Sequence, residues 1–354
     1  MFFIFSLVAL LAWSGSDLFS KMGTSENDKN SHWKVVFAVG FIMGIHFLIT
    51  LIGGAIIDST VGIDNVPKFV GSLFYTDFKF ADFLTYLPVA ALYIFAMVLG
   101  YIGLRYIELS ISSPICNCSG SLALLICALI WWGDLTLDLG SIIGVILVTV
   151  GIIALSFVDS HEDQELKVLR RQESNKKYVK SIWALLLPVL YLVIDALGTV
   201  GDELLFSVKQ CLNCGKLFWI NDACGHCGLV HSEEMLDASG IITDYASNSA
   251  FELTFFILAI FAFIWVKFVK KDSLFTKQNK FLYAGGFCET VGQIFYMAVM
   301  FADYSVGMVI ISAYCVLSLL WSRLIIKEKL SLKHYITISI TIIGIIILGV
   351  FSPV

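Results

Sequence analysis

Charge is scarce in this chain of 354 residues: Asp, Glu, Lys and Arg make up 14% of it, against about 25% in a soluble domain. A water-facing globule of this length needs more polar surface than that, which excludes soluble enzymes and disordered scaffolds. Positive charge is scarcer than negative, 23 basic against 28 acidic residues for a net charge of −5, so no nucleic-acid partner is expected. No GxxxxGK[ST] phosphate loop is present, which excludes an ATP-driven pump. HExxH and GxSxG are missing too, and the chain reads as no enzyme. From Phe2 onward the sequence is apolar without a basic start, which argues against a cleaved secretory signal.

What is abundant is apolar: 58% of residues are hydrophobic and the mean hydropathy is +0.87. A hydrocarbon core about 30 Å thick takes roughly 20 apolar residues in a helix. Ten such runs occur, at 2–22, 33–57, 83–107, 111–132, 139–158, 182–206, 251–269, 281–302, 304–326 and 334–351. The fold expected is therefore an all-α polytopic membrane protein with ten transmembrane helices. Small residues such as Gly40 and Gly44 in the second run let helices approach closely. Three connections are long. Residues 59–82 mix aromatics with polar groups and suit an interfacial segment. Residues 159–180 form a charged linker, and 207–248 are polar, acidic and cysteine-bearing.

Lys and Arg collect in cytoplasmic loops. Of the 23 basic residues, only Lys68, Lys79, Lys209 and Lys216 fall on one set of alternate connections. The remainder fall on the other set, which includes the 159–180 linker. The charge pattern thus puts that linker in the cytoplasm and both termini outside a cell membrane, plasma or inner.

The chain also repeats itself. The stretch from Tyr106 to Ser156 can be laid over the stretch from Met300 to Gly349: Glu108 falls on Asp303, Ser110 on Ser305, and Gly133-Asp134 beside Lys327-Glu328. Each half holds five runs, so the second enters the membrane inverted, the arrangement of many secondary transporters. The expected domains are a first repeat over 1–158, the linker 159–180 and a second repeat over 181–354, interrupted by the 207–248 insert. On these features the sequence resembles the ten-helix, EamA-like branch of the drug/metabolite transporter superfamily. The acidic turns Trp132-Gly133-Asp134-Leu135 and Lys327-Glu328-Lys329-Leu330 are its best markers, with Asp134 standing where the family usually has Glu. The resemblance implies transport of a small metabolite by alternating access between the halves. It also implies cytoplasmic termini, opposite to the charge count.

Carboxylates within membrane helices are costly and are functional candidates by default. Asp17 and Asp195 hold matching places in the two halves, each four residues after an aromatic, Trp13 and Tyr191. Glu289 shares a helix face with Gln293 and Tyr296 by the same spacing. These seven residues are the expected substrate or proton site. Asp17, four residues from Lys21, equally suits an interfacial position. Aromatics beside carboxylates fit a cationic substrate, and proton exchange fits the same groups. His46 reads as a hydrogen-bonded packing residue or a proton relay; Arg105 and Glu108 read as a pair at a helix end.

Five cysteines (116, 118, 127, 288 and 315) lie in apolar runs and read as inert. The other four form C-x2-C-x9-C-x2-C: Cys211, Cys214, Cys224 and Cys227, each pair followed by a glycine. The spacing resembles paired zinc-ribbon knuckles and predicts a structural zinc site. Iron and a pair of disulfides are the alternatives. The expected partners are a small solute and the lipid bilayer, with a homodimer left open. A membrane-embedded sensor that uses the zinc module to hold a partner is the alternative function, and a membrane enzyme acting on a lipid-linked substrate is a further rival.

Overall fold

The structure is a computed structural model that describes the chain apart from residues 1, 25–27, 107–108, 131–138, 161–181, 220–223, 225, 231–239, 278, 301–309, 312, 327–330 and 352–354. Most of the charged linker, both acidic turns, Glu108, Asp303 and Ser305 lie outside the described residues, as does the side chain of Cys118.

Each of the ten apolar runs carries a helix. In chain order these are α1 (Phe2–Gly23), α2 (Ser31–Thr60), the short α3 (Lys68–Phe74), α4 (Phe80–Tyr106), α5 (Leu109–Ile130), α6 (Leu139–Ser160), α7 (Ile182–Ser207), α8 (Asp244–Ile264), α9 (Lys280–Met300), α10 (Tyr314–Trp321) and α11 (Leu332–Phe351). α8 and α10 each continue into a π-helical turn, Trp265–Val269 and Ser322–Ile326. Among the described residues, four stretches are long and apolar enough to cross a bilayer: Phe3–Gly23, Ser31–Thr60, Phe80–Arg105 and Asp244–Val269. Helices are what such sequences must form, because apolar surroundings leave backbone groups no partner but the chain itself.

Residues 63–74, within the mixed connection, fold as a 3-10 turn (Ile63–Asn65) and α3, which rests on α2 and α9. Between α7 and α8 lies a small ribbon in which β1 (Val208–Gln210) pairs antiparallel with β2 (Leu217–Trp219), Lys209 opposite Phe218.

The helix packing runs between the halves of the chain. α1 packs on α9 and α10, α4 on α7 and α8, α2 on α8 and α9, α5 on α7 and α10, and α6 on α11. Glycines set the closest approaches. A Cβ on Gly40 would strike the Phe255 carbonyl and one on Gly44 the Phe256 ring, so the small residues of α2 seat it against α8.

Side chains tie both ends of the bundle. At one end, called here the basic end, Lys21 Nζ donates to the Leu104 carbonyl (2.6 Å). Lys34 there bridges Asp28 and Asp272 at 2.7 and 2.9 Å, and its ammonium holds Asp272 below the usual carboxylate range. At the other, the ribbon end, Thr243 accepts from the Ala246 amide to cap α8 and donates to Asp77 (2.6 Å).

Candidate functional site

Helical spacing places the polar residues of four helices around one space. α1 contributes Trp13, Ser16, Asp17 and Ser20, three or four apart and so on one face. α7 contributes Tyr191, Asp195 and Thr199, α9 contributes Glu289, Gln293 and Tyr296, and α5 contributes Ser113, Asn117 and Ser119. Together with parts of α4, α8 and α10 they line a cavity of about 1060 Å³ of empty volume, part of it open to solvent. All seven candidates from the sequence (Trp13, Asp17, Tyr191, Asp195, Glu289, Gln293 and Tyr296) are on its wall.

Hydroxyls hold the carboxylates in place. Asp17 Oδ2 accepts from Ser113 at 2.7 Å and from Ser318 at 3.0 Å. Asp195 Oδ2 accepts from Ser119 at 2.6 Å, and Glu289 accepts from Ser16. Among the described residues no Lys or Arg pairs with any of the three. Among the described residues no basic side chain is on the cavity wall, whereas seven aromatic rings are: Trp13, Tyr93, Tyr101, Tyr191, Phe251, Tyr296 and Tyr314. Trp13 stacks obliquely on Tyr296, with centroids 5.1 Å apart, and meets Tyr314 edge-on. Four buried polar atoms of wall residues have no hydrogen-bond partner among the described residues: Trp13 Nε1, Ser20 Oγ, Tyr101 Oη and Gln293 Nε2. Such groups are costly to bury unpaired. Chemically, carboxylates set beside aromatic faces are groups that can accept a cation.

Two buried carboxylates are not among the seven site candidates from the sequence. Asp202, with no exposed surface, accepts from Tyr86 (2.6 Å) on Oδ1 and from Tyr93 (2.6 Å) and Tyr296 (3.1 Å) on Oδ2. Glu252 of α8, equally buried, faces His46 of α2: Nδ1 lies 2.7 and 2.9 Å from its two oxygens, and Nε2 is 3.0 Å from the Leu73 carbonyl. His46 is therefore held between an acid and a carbonyl, away from the cavity wall. Cys116, read as inert, lines the cavity.

The four loop cysteines converge. Their sulfurs all lie within 4.8 Å of one another, with Cys211 to Cys227 and Cys214 to Cys224 both at 3.5 Å. A disulfide needs about 2.05 Å, whereas a tetrahedron with Zn–S bonds of about 2.3 Å has edges of about 3.8 Å. Both knuckles close with the same bond: the amides of Gly215 and Gly228 return to the carbonyls of Cys211 and Cys224. These glycines stand at φ of 70° and 69°, a conformation that costs glycine little. Amides of Cys227 and His226 aimed at Cys224 lower its thiol, while, against the pull of the Lys216 backbone, burial and the neighbouring thiols raise that of Cys214. The cluster can hold a metal ion.

A solved crystal structure with 12% sequence identity has the same fold, with a TM-score of 0.57 over 99% of this chain and 97% of the other. No curated protein matches the sequence. Residues 239–350 match the model of the EamA-like transporter family.

Proposed function

We propose that the protein is a ten-span secondary transporter for small organic cations, built as two inverted five-helix repeats that alternate access to the central cavity. The observation that carries this reading is the wall itself: three carboxylates and seven aromatic rings, with no basic side chain facing them among the described residues. The repeat is supported by the packing. Exchanging each helix of the first half (α1, α2, α4, α5, α6) for its counterpart in the second (α7 to α11) turns α1–α9 into α7–α4, α5–α7 into α10–α1, and α2–α9 into α8–α4. It leaves α2–α8 and α6–α11 unchanged. Proton and substrate cation compete for Asp17, Asp195 and Glu289, which supplies coupling. The basic end lies in the cytoplasm, as its excess of Lys and Arg requires.

Counterflow in proteoliposomes tests the substrate class. Vesicles preloaded with an amine or a small quaternary ammonium solute should take up its labelled form, and carboxylate solutes of equal size should not exchange. Exchange restricted to anions or neutral solutes would overturn the reading.

The cysteine cluster is proposed to hold one structural zinc, which supplies cross-linking of the two knuckles when bound. The ribbon is too small to build a core of its own, so metal binding and folding go together there. Elemental analysis should give one zinc per chain, and a chelator should release four titratable thiols while the helices stay folded. Two disulfides that resist chelation, with no metal present, would sink the assignment.

A further inference from the structure

The cavity is asymmetric along its length. Towards the basic end its wall reaches Ser20 and Leu104, within a turn of the ends of α1 and α4. Towards the ribbon end its wall is made by the rings of Tyr93, Tyr296 and Phe251 with Thr199. Directly behind the two tyrosines lies Asp202, seven residues beyond Asp195 and so on the same face of α7. The tyrosines that close the cavity are therefore the ones that hydrogen-bond Asp202, and their hydroxyls also meet each other at 2.8 Å. Tyr86, off the cavity wall, completes the set from α4.

Resting on the transporter reading above, we propose that Asp202 is a latch: its carboxylate ties α4 and α9 to α7, and release of the tyrosine hydroxyls opens the cavity at the ribbon end. A solute leaving that way must displace Tyr93 and Tyr296, and neither ring can swing aside while its hydroxyl is held. Three hydroxyls converge here on one carboxyl group with no exposed surface, and buried groups left unpaired are costly.

The repeat indicates that the device is one-sided. The alignment that pairs Glu108 with Asp303 pairs Tyr101 with Tyr296. Tyr101 Oη has no hydrogen-bond partner among the described residues, whereas Tyr296 donates to Asp202. The alignment that pairs Asp17 with Asp195 puts Thr24 opposite Asp202, and the Thr24 hydroxyl donates to the Lys21 carbonyl of its own helix. Among the described residues the basic end thus has the tyrosine without a carboxylate bonded to it.

The test is side-specific labelling at Thr199→Cys, which lies on the cavity wall between Asp195 and Asp202. An impermeant maleimide is applied to one face at a time of oriented vesicles, and modification at position 199 is read by peptide mass spectrometry. With Asp202 intact, labelling comes from the basic face. Asp202→Asn should move the ratio towards the ribbon face by roughly tenfold or more, and Tyr86→Phe, which removes one hydroxyl, by about threefold; tenfold is about 1.4 kcal/mol. A purely structural Asp202 would lower thermal stability and leave the face ratio alone. If Asp202→Asn does not fold, Tyr86→Phe decides. An unchanged ratio overturns the latch. The assay contains no solute, so a missing counterflow signal beside a shifted ratio would fault the transport reading and keep the latch.

Discussion

Asp195→Asn and Glu289→Gln should each reduce transport by at least roughly 100-fold while the protein still folds and inserts. Both substitutions keep the shape of the side chain and remove the charge. A cation leaving water must recover its hydration from the site, and a charge buried without a partner costs several kcal/mol even after relaxation. With one carboxylate gone the remaining acids no longer balance the site, and at about 1.4 kcal/mol per tenfold a loss of about 3 kcal/mol is a 100-fold effect. The neutral variants also relieve crowding of like charge, so melting temperature should hold or rise. Initial rates of uptake, beside a melt of each purified variant, check this. Parental rates in both variants would remove these residues from the site.

His46→Leu should destabilise the protein more than any change on the cavity wall. It leaves Glu252, which has no exposed surface, with Asn248 Nδ2 as its remaining hydrogen-bond donor, at 3.1 Å. Breaking a buried pair by removing one partner costs about 3–5 kcal/mol, or roughly 10 °C at about 2–4 °C per kcal/mol. The double variant His46→Leu/Glu252→Leu should recover most of that loss, because a buried ion pair exchanged for apolar residues of similar volume is often neutral. Melting curves of the two single variants and the double variant close the cycle. Equal stability of His46→Leu and the parent would mean that the pair contributes nothing.

The helices were legible because each run states its own length and polarity, and a lone carboxylate such as Asp195 stands out against apolar neighbours. Asp202 and Glu252 did not stand out, for a physical reason. Each lies near the ribbon end of its run beside other polar residues, Glu203 in one case and Asn248 in the other, and a carboxylate there reads as one that reaches water. Only the partners reveal otherwise, and Tyr86, Tyr93 and Tyr296 come from helices 94 to 116 residues away in the chain. The knuckles were legible for the opposite reason: their ligands and turns are local, so spacing alone carries the geometry.

The one-sided latch has a consequence for affinity. Two access states related by a perfect repeat would be equally populated, and a solute would meet the same protein from either face. Asp202 breaks that degeneracy. A solute arriving at the ribbon face finds a receptive molecule only in the fraction whose tyrosines are released, and its apparent dissociation constant is weakened by that fraction. A solute at the basic face meets the majority form. The direction of net flow still follows the gradients, since a bias between states does no work. What the latch sets is the concentration at which each compartment saturates the carrier, so that one protein serves as a high-affinity port on one side and a low-affinity port on the other.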